Sequence, residues 1–157
     1  MVEQSKSVTL TSPEHSCAVA QNMASKLGPG QVILLEGDIG AGKTHFARCL
    51  IQSLIGEEED VPSPTFTLVQ AYDAANMEIW HADLYRLSSP DEVVELGLLD
   101  AFEDSLCLVE WPDRLAELQP ENALRVSLAM TEIEGQRRAK FQWNNDMWAE
   151  IIEAVLQ

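Results

Sequence analysis

The sequence has little positive charge. Its 157 residues include 10 lysines and arginines against 26 aspartates and glutamates, which gives a formal net charge of −16. A protein that binds nucleic acid tightly covers many phosphates with basic side chains. The composition therefore excludes a large basic face, and we predict that the chain forms no stable direct complex with nucleic acid.

Cysteines are also few. Cys17, Cys49 and Cys107 form neither a CxxC pair nor a cluster with histidine, so they offer no cysteine-based metal motif. Each of them lies in a mostly apolar stretch of the chain. We therefore predict three reduced, buried thiols.

Long hydrophobic runs are missing as well. The longest purely aliphatic run covers only residues 32–35, whereas a transmembrane helix needs about 20 apolar residues. Residues 1–7 contain charged side chains and lack the apolar segment of a secretion signal. We expect a cytoplasmic protein that does not associate with a membrane.

The chain does contain enough apolar side chains for a core. Hydrophobic residues make up 46% of it, well above the content of self-repelling disordered segments. The length falls within the range of about 100 to 200 residues that is usual for one domain. Because no repeat, low-complexity segment or linker interrupts the sequence, we predict a single domain spanning residues 1–157.

Apolar runs alternate with helical periods. Residues 32–35 and 106–109 are continuous apolar runs, typical of strands that are buried on both faces of a parallel sheet. Apolar residues recur at helical spacing over 13–27, 43–54 and 146–156, and a further helix is expected to open at residue 89. The other predicted strands cover residues 7–10, 65–72, 77–83, 124–130 and 141–143. The expected fold is α/β, with a mainly parallel central sheet, flanking helices and antiparallel edge strands.

One motif carries specific chemistry. Residues 37–44 read GDIGAGKT and match GxxxxGK[ST] between a predicted strand and a predicted helix, which indicates a P-loop NTPase-like fold. Backbone N–H groups and the positive end of the helix would meet phosphate oxygens there. Lys43, a predicted catalytic residue, supplies charge to the β- and γ-phosphates, and the Thr44 hydroxyl is a hard ligand for Mg²⁺. ATP and Mg²⁺ are therefore the predicted ligands. The loop residues predicted to bind nucleotide are Gly37, Asp38, Ile39, Gly40, Ala41, Gly42, Lys43 and Thr44.

Two carboxylates are candidates to organise the metal and the attacking water. Glu110 ends the apolar run at 106–109, and Asp83 ends the predicted strand at 77–83. Ligands of open parallel sheets lie outside the carboxyl ends of the strands, so both acids are expected beside the phosphates. We predict that Glu110 and Asp83 are catalytic residues and that both join Thr44 as metal ligands.

Three other residues are singled out by the sequence around them. Thr65, in the segment SPTFT at 63–67, is predicted to be a catalytic switch that senses the γ-phosphate through Mg²⁺, although a Pro-rich entry into a strand would also explain the segment. Trp111 directly follows Glu110 and is expected near the nucleotide. His81 stands between apolar neighbours and is interpreted as a hydrogen-bonded structural histidine rather than a base.

Together these motifs resemble those of the TsaE (YjeE) family of P-loop ATPases, which participate in threonylcarbamoylation of tRNA. The resemblance extends from about residue 35 to residue 114, and the combination is specific, whereas the loop alone indicates only a superfamily. The matching segments are GDIGAGKT at 37–44, SPTFTLV at 63–69, HADLYRL at 81–87, ELG at 95–97 and LVEWP at 108–112.

The resemblance implies a cytoplasmic ATPase that works with the TsaD and TsaB proteins, which install threonylcarbamoyl on the adenosine next to the anticodon. The tRNA would then be met only indirectly, through that complex. The family also implies nucleotide contacts at Thr11 and Gly135. Two positions depart from its pattern, because His45 stands where a second threonine is usual and Gln136 separates Gly135 from Arg137. The second departure leaves a contact from that arginine to the nucleotide in question.

Other functions can use the same loop. A small-metabolite kinase, the main alternative, needs cations that clamp the transferred phosphoryl group, and the chain after Arg48 has no arginine-rich lid. A module that binds nucleotide without turnover would have no need of a carboxylate at Glu110. A GTPase is disfavoured because the sequence contains no NKxD segment to recognise guanine.

Overall fold

Seven strands form one sheet in the described part of the chain. The computed structural model describes residues 3–56, 61 and 68–156. The strands are β1 (Gln4–Leu10), β2 (Val32–Glu36), β3 (Val69–Asp73), β4 (Glu78–Asp83), β5 (Leu106–Glu110), β6 (Leu124–Met130) and β7 (Arg137–Trp143). The helices are α1 (Pro13–Ala24), α2 (Lys43–Ile55), α3 (Asp91–Glu95), α4 (Leu98–Asp104) and α5 (Asp146–Val155), with a 3-10 helix at Pro112–Leu118.

The strand order is β1-β7-β6-β2-β5-β4-β3. β4, β5, β2 and β6 run parallel to one another in the middle of the sheet. β3 pairs antiparallel with β4 at one edge, and β7 and β1 continue the other edge antiparallel. The α/β fold with a mainly parallel centre and antiparallel edges is therefore confirmed.

The sheet separates two apolar layers, and the side-chain direction alternates along each strand. Ile33 and Leu108 pack with α1, α2 and α5 on what we call the α2 face of the sheet. Leu34 and Val109 pack with α3, α4 and the 3-10 helix on the α4 face. The central strands β2 and β5 are thus covered on both sides, which explains why their sequences are continuously apolar.

Helix boundaries follow local signals. Ser12 caps α1 by accepting a hydrogen bond from the His15 backbone N–H, and Pro13 occupies the first turn, as predicted. Gly97, with φ of +80°, divides the helical segment that opens after residue 89 into α3 and α4. In the described residues no helix is long and apolar enough to cross a membrane.

β7 is longer than predicted. It begins at Arg137 rather than at residue 141, because Ala139, Phe141 and Trp143 are buried while the intervening residues are not. Pairing with β1 on one side and β6 on the other extends the strand through its charged positions. The strand predicted at 65–72 is observed from Val69 onwards, and residues 62–67 lie outside the described part of the chain.

The structure corrects the prediction for two of the three cysteines. α1 and α2 pack side by side, which brings the Cα atoms of Cys17 and Cys49 to 5.3 Å, and their sulfur atoms form a disulfide. The two residues are 32 positions apart, and closing a loop of that length stabilises the fold by about 3–4 kcal/mol in a chain-entropy estimate. Cys107 is a free, buried thiol as predicted, and burial raises its pKa to about 12.

Candidate functional site

A cleft of about 530 Å³ opens beside the loop that joins β2 to α2. It lies at the carboxyl ends of the parallel strands, where ligands of open α/β sheets bind. Residues 39–44 of the loop form one wall, and Asp83, Tyr85, Glu110 and Trp111 form another. Its volume falls in the usual range of about 300–1,000 Å³ for small-molecule sites.

Glycines give the loop its path. Gly37 has a φ of +146°, and a Cβ atom on it would lie 2.4 Å from the Leu128 carbonyl oxygen, so a side chain does not fit there. Gly42 has a φ of +103° and directly precedes α2. The first backbone N–H groups of α2 have no partner within the helix and point out of its N-terminal end, towards the cleft. The loop thus directs backbone donors and the positive helix end to one point, as an anion site requires.

Lys43 lies at the centre of this arrangement. Its ammonium donates hydrogen bonds to the carbonyl oxygens of Gly37 and Asp38, the second at 3.0 Å. Burial lowers the pKa of Lys43, while the negative charges of Glu110, Asp83 and Asp38 oppose that shift. Carboxylates near the ammonium thus offset part of the cost of burying it.

Two aromatic rings extend from Lys43 to the rim of the cleft. The Lys43 Nζ atom lies 4.2 Å from the centroid of the Trp111 ring, in cation–π contact. The Trp111 ring in turn packs against Tyr85, with ring centroids 4.9 Å apart. Trp111 has a φ of +60°, an uncommon conformation for a bulky residue. This backbone turn accompanies the position of the indole beside Lys43, and Trp111 lines the cleft.

The two predicted carboxylates lie side by side. Asp83 pairs in register with Glu110 across β4 and β5, so both side chains point to the α2 face. Glu110 is only 2% exposed, and its Oε1 atom accepts a hydrogen bond of 2.8 Å from the Thr44 hydroxyl. The Oδ1 atom of Asp83 accepts a hydrogen bond of 3.1 Å from the Tyr85 backbone N–H. The structure thus brings Lys43, Thr44 and both acids together.

The oxygen atoms at this point suit Mg²⁺. The described residues contain no cluster of three or more His, Cys, Asp or Glu side chains that would enclose a metal. Mg²⁺ generally binds to one or two protein oxygens and to substrate phosphates rather than inside an all-protein cage. Thr44, Glu110 and Asp83 therefore fit a magnesium ion that arrives with a nucleotide.

Several cleft residues were not predicted from the sequence. Arg137 donates hydrogen bonds to the carbonyl oxygens of Gly40 at 3.1 Å and Ala41 at 3.0 Å, so its guanidinium links β7 to the loop. His45, which replaces the usual threonine, donates from Nε2 to the Pro13 carbonyl oxygen at 2.9 Å. The sequence marks these positions only as departures from the family pattern, and the contacts were not predicted because the partners come from distant parts of the chain.

The remaining predicted residues have different positions. Gly135 lines the cleft, whereas Thr11 is not among the lining residues and instead contacts Nδ1 of His15 through its backbone N–H, at 3.0 Å. Gly37 and Asp38 contribute their carbonyl oxygens to Lys43 rather than lining the cleft. Thr65 lies outside the described residues, so its switch role stays a prediction.

A family model described as "Threonylcarbamoyl adenosine biosynthesis protein TsaE" matches residues 10–139. The chain belongs to the TsaE family. This confirms the resemblance predicted from the motifs, and the match covers both the loop and the strands that end in Asp83 and Glu110. The TsaE model ends at Ala139, in β7, the strand that also provides Arg137.

Individual relatives agree with this assignment. The chain is 43% identical over 120 residues to "tRNA threonylcarbamoyladenosine biosynthesis protein TsaE" of Rickettsia conorii, covering 76% of this chain and 69% of the relative. It is 39% identical over 115 residues to the TsaE protein of Bacillus subtilis, covering 73% and 71%. The crystal structure of Bacillus subtilis YdiB superposes with a TM-score of 0.78 at 25% identity, covering 99% of this chain and 97% of YdiB.

Proposed function

We propose that this TsaE chain is a cytoplasmic, Mg²⁺-dependent ATPase that supports the threonylcarbamoyladenosine modification of tRNA together with TsaD and TsaB. The family description and the relatives' names support the pathway. One contact carries the chemistry. The Thr44 hydroxyl donates to Glu110 inside a P-loop cleft, and this joins the expected metal ligand to the expected catalytic carboxylate.

The geometry suggests how each residue acts on ATP. The loop N–H groups and Lys43 bind the β- and γ-phosphates and neutralise charge that develops on them. The Thr44 hydroxyl donates a hydrogen bond to Glu110. The lone pairs of the hydroxyl oxygen therefore point away from that carboxylate and are available to Mg²⁺. When bound, Mg²⁺ supplies Lewis acidity and charge neutralisation at the phosphates.

The second carboxylate completes this assignment. Asp83 points to the same face as Glu110 and is 7% exposed, so it can orient a water or a water-bound metal at the γ-phosphate. Burial lowers the pKa of the Lys43 ammonium, and the negative charges of both acids oppose that shift. We assign Glu110 the direct role at the metal and the attacking water, since Glu110 contacts Thr44, and we assign Asp83 a supporting one.

The charge of the chain suggests a division of labour with its partners. Ten basic residues against 26 acidic ones leave too few cations for a stable tRNA complex. We therefore assign tRNA binding to TsaD and TsaB and the ATP cycle to this chain. Tight tRNA binding by the isolated protein at physiological salt would contradict this part of the proposal.

The proposal is tested by nucleotide binding and turnover. ATP binding is measured by calorimetry, and hydrolysis by single-turnover assays with and without TsaD and TsaB. Lys43→Ala is expected to abolish binding, because it removes the only cation of the loop at 37–44, which we assign to the phosphates. Arg138→Ala, an exposed position on β7, is the matched control and is expected to bind ATP as the wild type does.

Two results would overturn the proposal. Equal turnover by the wild type and Lys43→Ala would show that the cleft is not the site of hydrolysis. A phosphorylated small molecule as the product, found when the protein and ATP are incubated with a metabolite mixture, would instead favour the metabolite kinase.

A further inference from the structure

Two donors from different parts of the fold hold the Glu110 carboxylate. Its Oε1 atom accepts from the Thr44 hydroxyl at 2.8 Å, and its Oε2 atom lies 2.7 Å from Nε2 of His81. His81 is fully buried and Glu110 is 2% exposed, so the contact between them is shielded from solvent, whereas Thr44 is half-buried and lines the cleft. Both oxygen atoms of the carboxylate are therefore occupied by protein partners.

The sheet register determines the position of His81. β4 and β5 are parallel, and Asp83 pairs with Glu110 while His81 pairs with Leu108. His81 therefore lies two residues before Asp83 on the same α2 face, diagonal to Glu110, which is within reach of a long side chain. Because β4 pairs with β5 from Ile79 to Asp83, the backbone positions of His81 and Glu110 are held in a fixed register.

The contact gives a buried carboxylate a strong donor. A desolvated carboxylate is costly unless it is hydrogen-bonded, and bonds to ionised acceptors are roughly twice as strong as neutral ones. Nδ1, the other ring nitrogen of His81, has no hydrogen-bond partner among residues 3–56, 61 and 68–156. Within that part of the chain, the specific polar contact of the imidazole is the one with Glu110.

With one oxygen fixed by Thr44 alone, the carboxylate plane could still rotate about its terminal bond. The second contact, to His81, opposes that rotation and leaves a lone pair on each oxygen of a carboxylate that lines the cleft. Fixed orientation of a catalytic group supplies part of the rate enhancement of an enzyme, because the group needs no rearrangement in the transition state. We propose that His81 is a positioning residue that sets the orientation of Glu110 for ATP hydrolysis, an inference that rests on the proposed ATPase function.

The test compares three replacements of His81 with the wild type and with Glu110→Gln. His81→Leu removes the donor and replaces the imidazole with an apolar side chain of similar size. His81→Gln places an amide N–H near the former position of Nε2, whereas the shorter amide of His81→Asn reaches only to about Nδ1. We measure kcat, KM and ATP dissociation constants with TsaD and TsaB present, and melting temperatures as a check of folding.

A positioning role predicts a specific pattern. His81→Leu and His81→Asn lose about 10- to 100-fold in kcat, the range typical of outer-shell partners, while KM and ATP affinity stay near those of the wild type. His81→Gln recovers most of the turnover. Adding His81→Leu to Glu110→Gln causes no further loss, because the two residues act through one group. If the leucine variant does not fold, the comparison of kcat between His81→Gln and His81→Asn tests the positioning role.

Other outcomes overturn the inference. Wild-type kcat in a folded His81→Leu protein, with Glu110→Gln inactive, would show that the contact does not orient the carboxylate. Equal losses in all three variants, in step with their melting temperatures, would show a structural role alone. A wild type that does not hydrolyse ATP even with TsaD and TsaB would overturn the proposed function, and this inference with it. An active wild type with either of the variant results above would overturn this inference alone.

Discussion

β2 and β5 are neighbouring parallel strands with nearly the same sequence pattern and different outcomes at their ends. Each has four apolar residues followed by a glutamate, VILLE and LCLVE. Glu36 forms an ion pair with Arg125 and accepts a hydrogen bond of 3.2 Å from the Ser127 hydroxyl. Glu110 instead lies buried between Thr44 and His81. One glutamate is part of a partly exposed ion pair, and the other faces the cleft.

The difference comes from a register offset of one residue. Leu35, not Glu36, pairs with Glu110. Because side chains alternate between the two faces of a sheet, Glu110 shares the α2 face with Leu35, and Glu36 points to the α4 face. α2 provides Lys43 and Thr44, so of these two glutamates only the one on the α2 face meets the loop at 37–44. The same motif thus yields a site residue or a structural residue according to its position in the pairing.

The largest expected effect comes from removing the charge on the α2 face. Glu110→Gln should lower turnover by about 10²- to 10⁴-fold, the usual contribution of a positioned acid–base group, while ATP binding through Lys43 is retained. The matched control is Glu36→Gln, the same change one strand away on the α4 face, which should hydrolyse ATP like the wild type. Single-turnover rates and calorimetry measure both; similar rates in the two variants would contradict the assignment by face.

Asp83 offers an intermediate test, because it shares the α2 face with Glu110 but does not contact Thr44. In Asp83→Asn the side-chain oxygen can still accept from the Tyr85 N–H, so this contact is retained while the negative charge is removed. Turnover should fall about 10- to 100-fold, as for an outer-shell group, and more Mg²⁺ should be needed for half-maximal activity. A loss larger than that of Glu110→Gln would reverse the two roles.

The smallest effect is expected on the α4 face. Arg125→Leu leaves Glu36 without its ion pair, yet the two side chains are 31% and 35% exposed, so water and salt screen the pair. The unfolding free energy from urea titration should fall by no more than about 1 kcal/mol, with ATPase activity unchanged. Lys140→Leu, at an exposed position on β7, serves as the control for adding an apolar side chain. A strong loss of turnover in Arg125→Leu alone would place this end of β2 within the functional site.

Sequence reasoning succeeded where the determining residues are contiguous. The apolar runs identified β2 and β5, and Ser12 with Pro13 identified the start of α1. Their structures depend on local burial and capping, which neighbouring residues determine. The start of β7 was missed because its charged residues are compatible with a strand only when β1 and β6 flank it on both sides.

Contacts between distant residues were not predictable in this way. The disulfide between Cys17 and Cys49 depends on how α1 and α2 pack, and the prediction of reduced thiols for this pair was wrong. Arg137 reaches the loop from β7, and its guanidinium binds a carbonyl oxygen 96 positions earlier in the chain. No spacing rule connects such residues, since helix packing and sheet order bring them together.

By itself, the sequence determined the loop at 37–44, the α/β class and a pair of carboxylates at strand ends. Each of these depends on a short run of residues with its own conformational and burial preferences. Only the tertiary structure decided which strand-end carboxylate meets the loop and what holds it. The Thr44–Glu110 and His81–Glu110 contacts join residues 66 and 29 positions apart. They exist because the register of three parallel strands places one glutamate on the α2 face and its neighbour on the other.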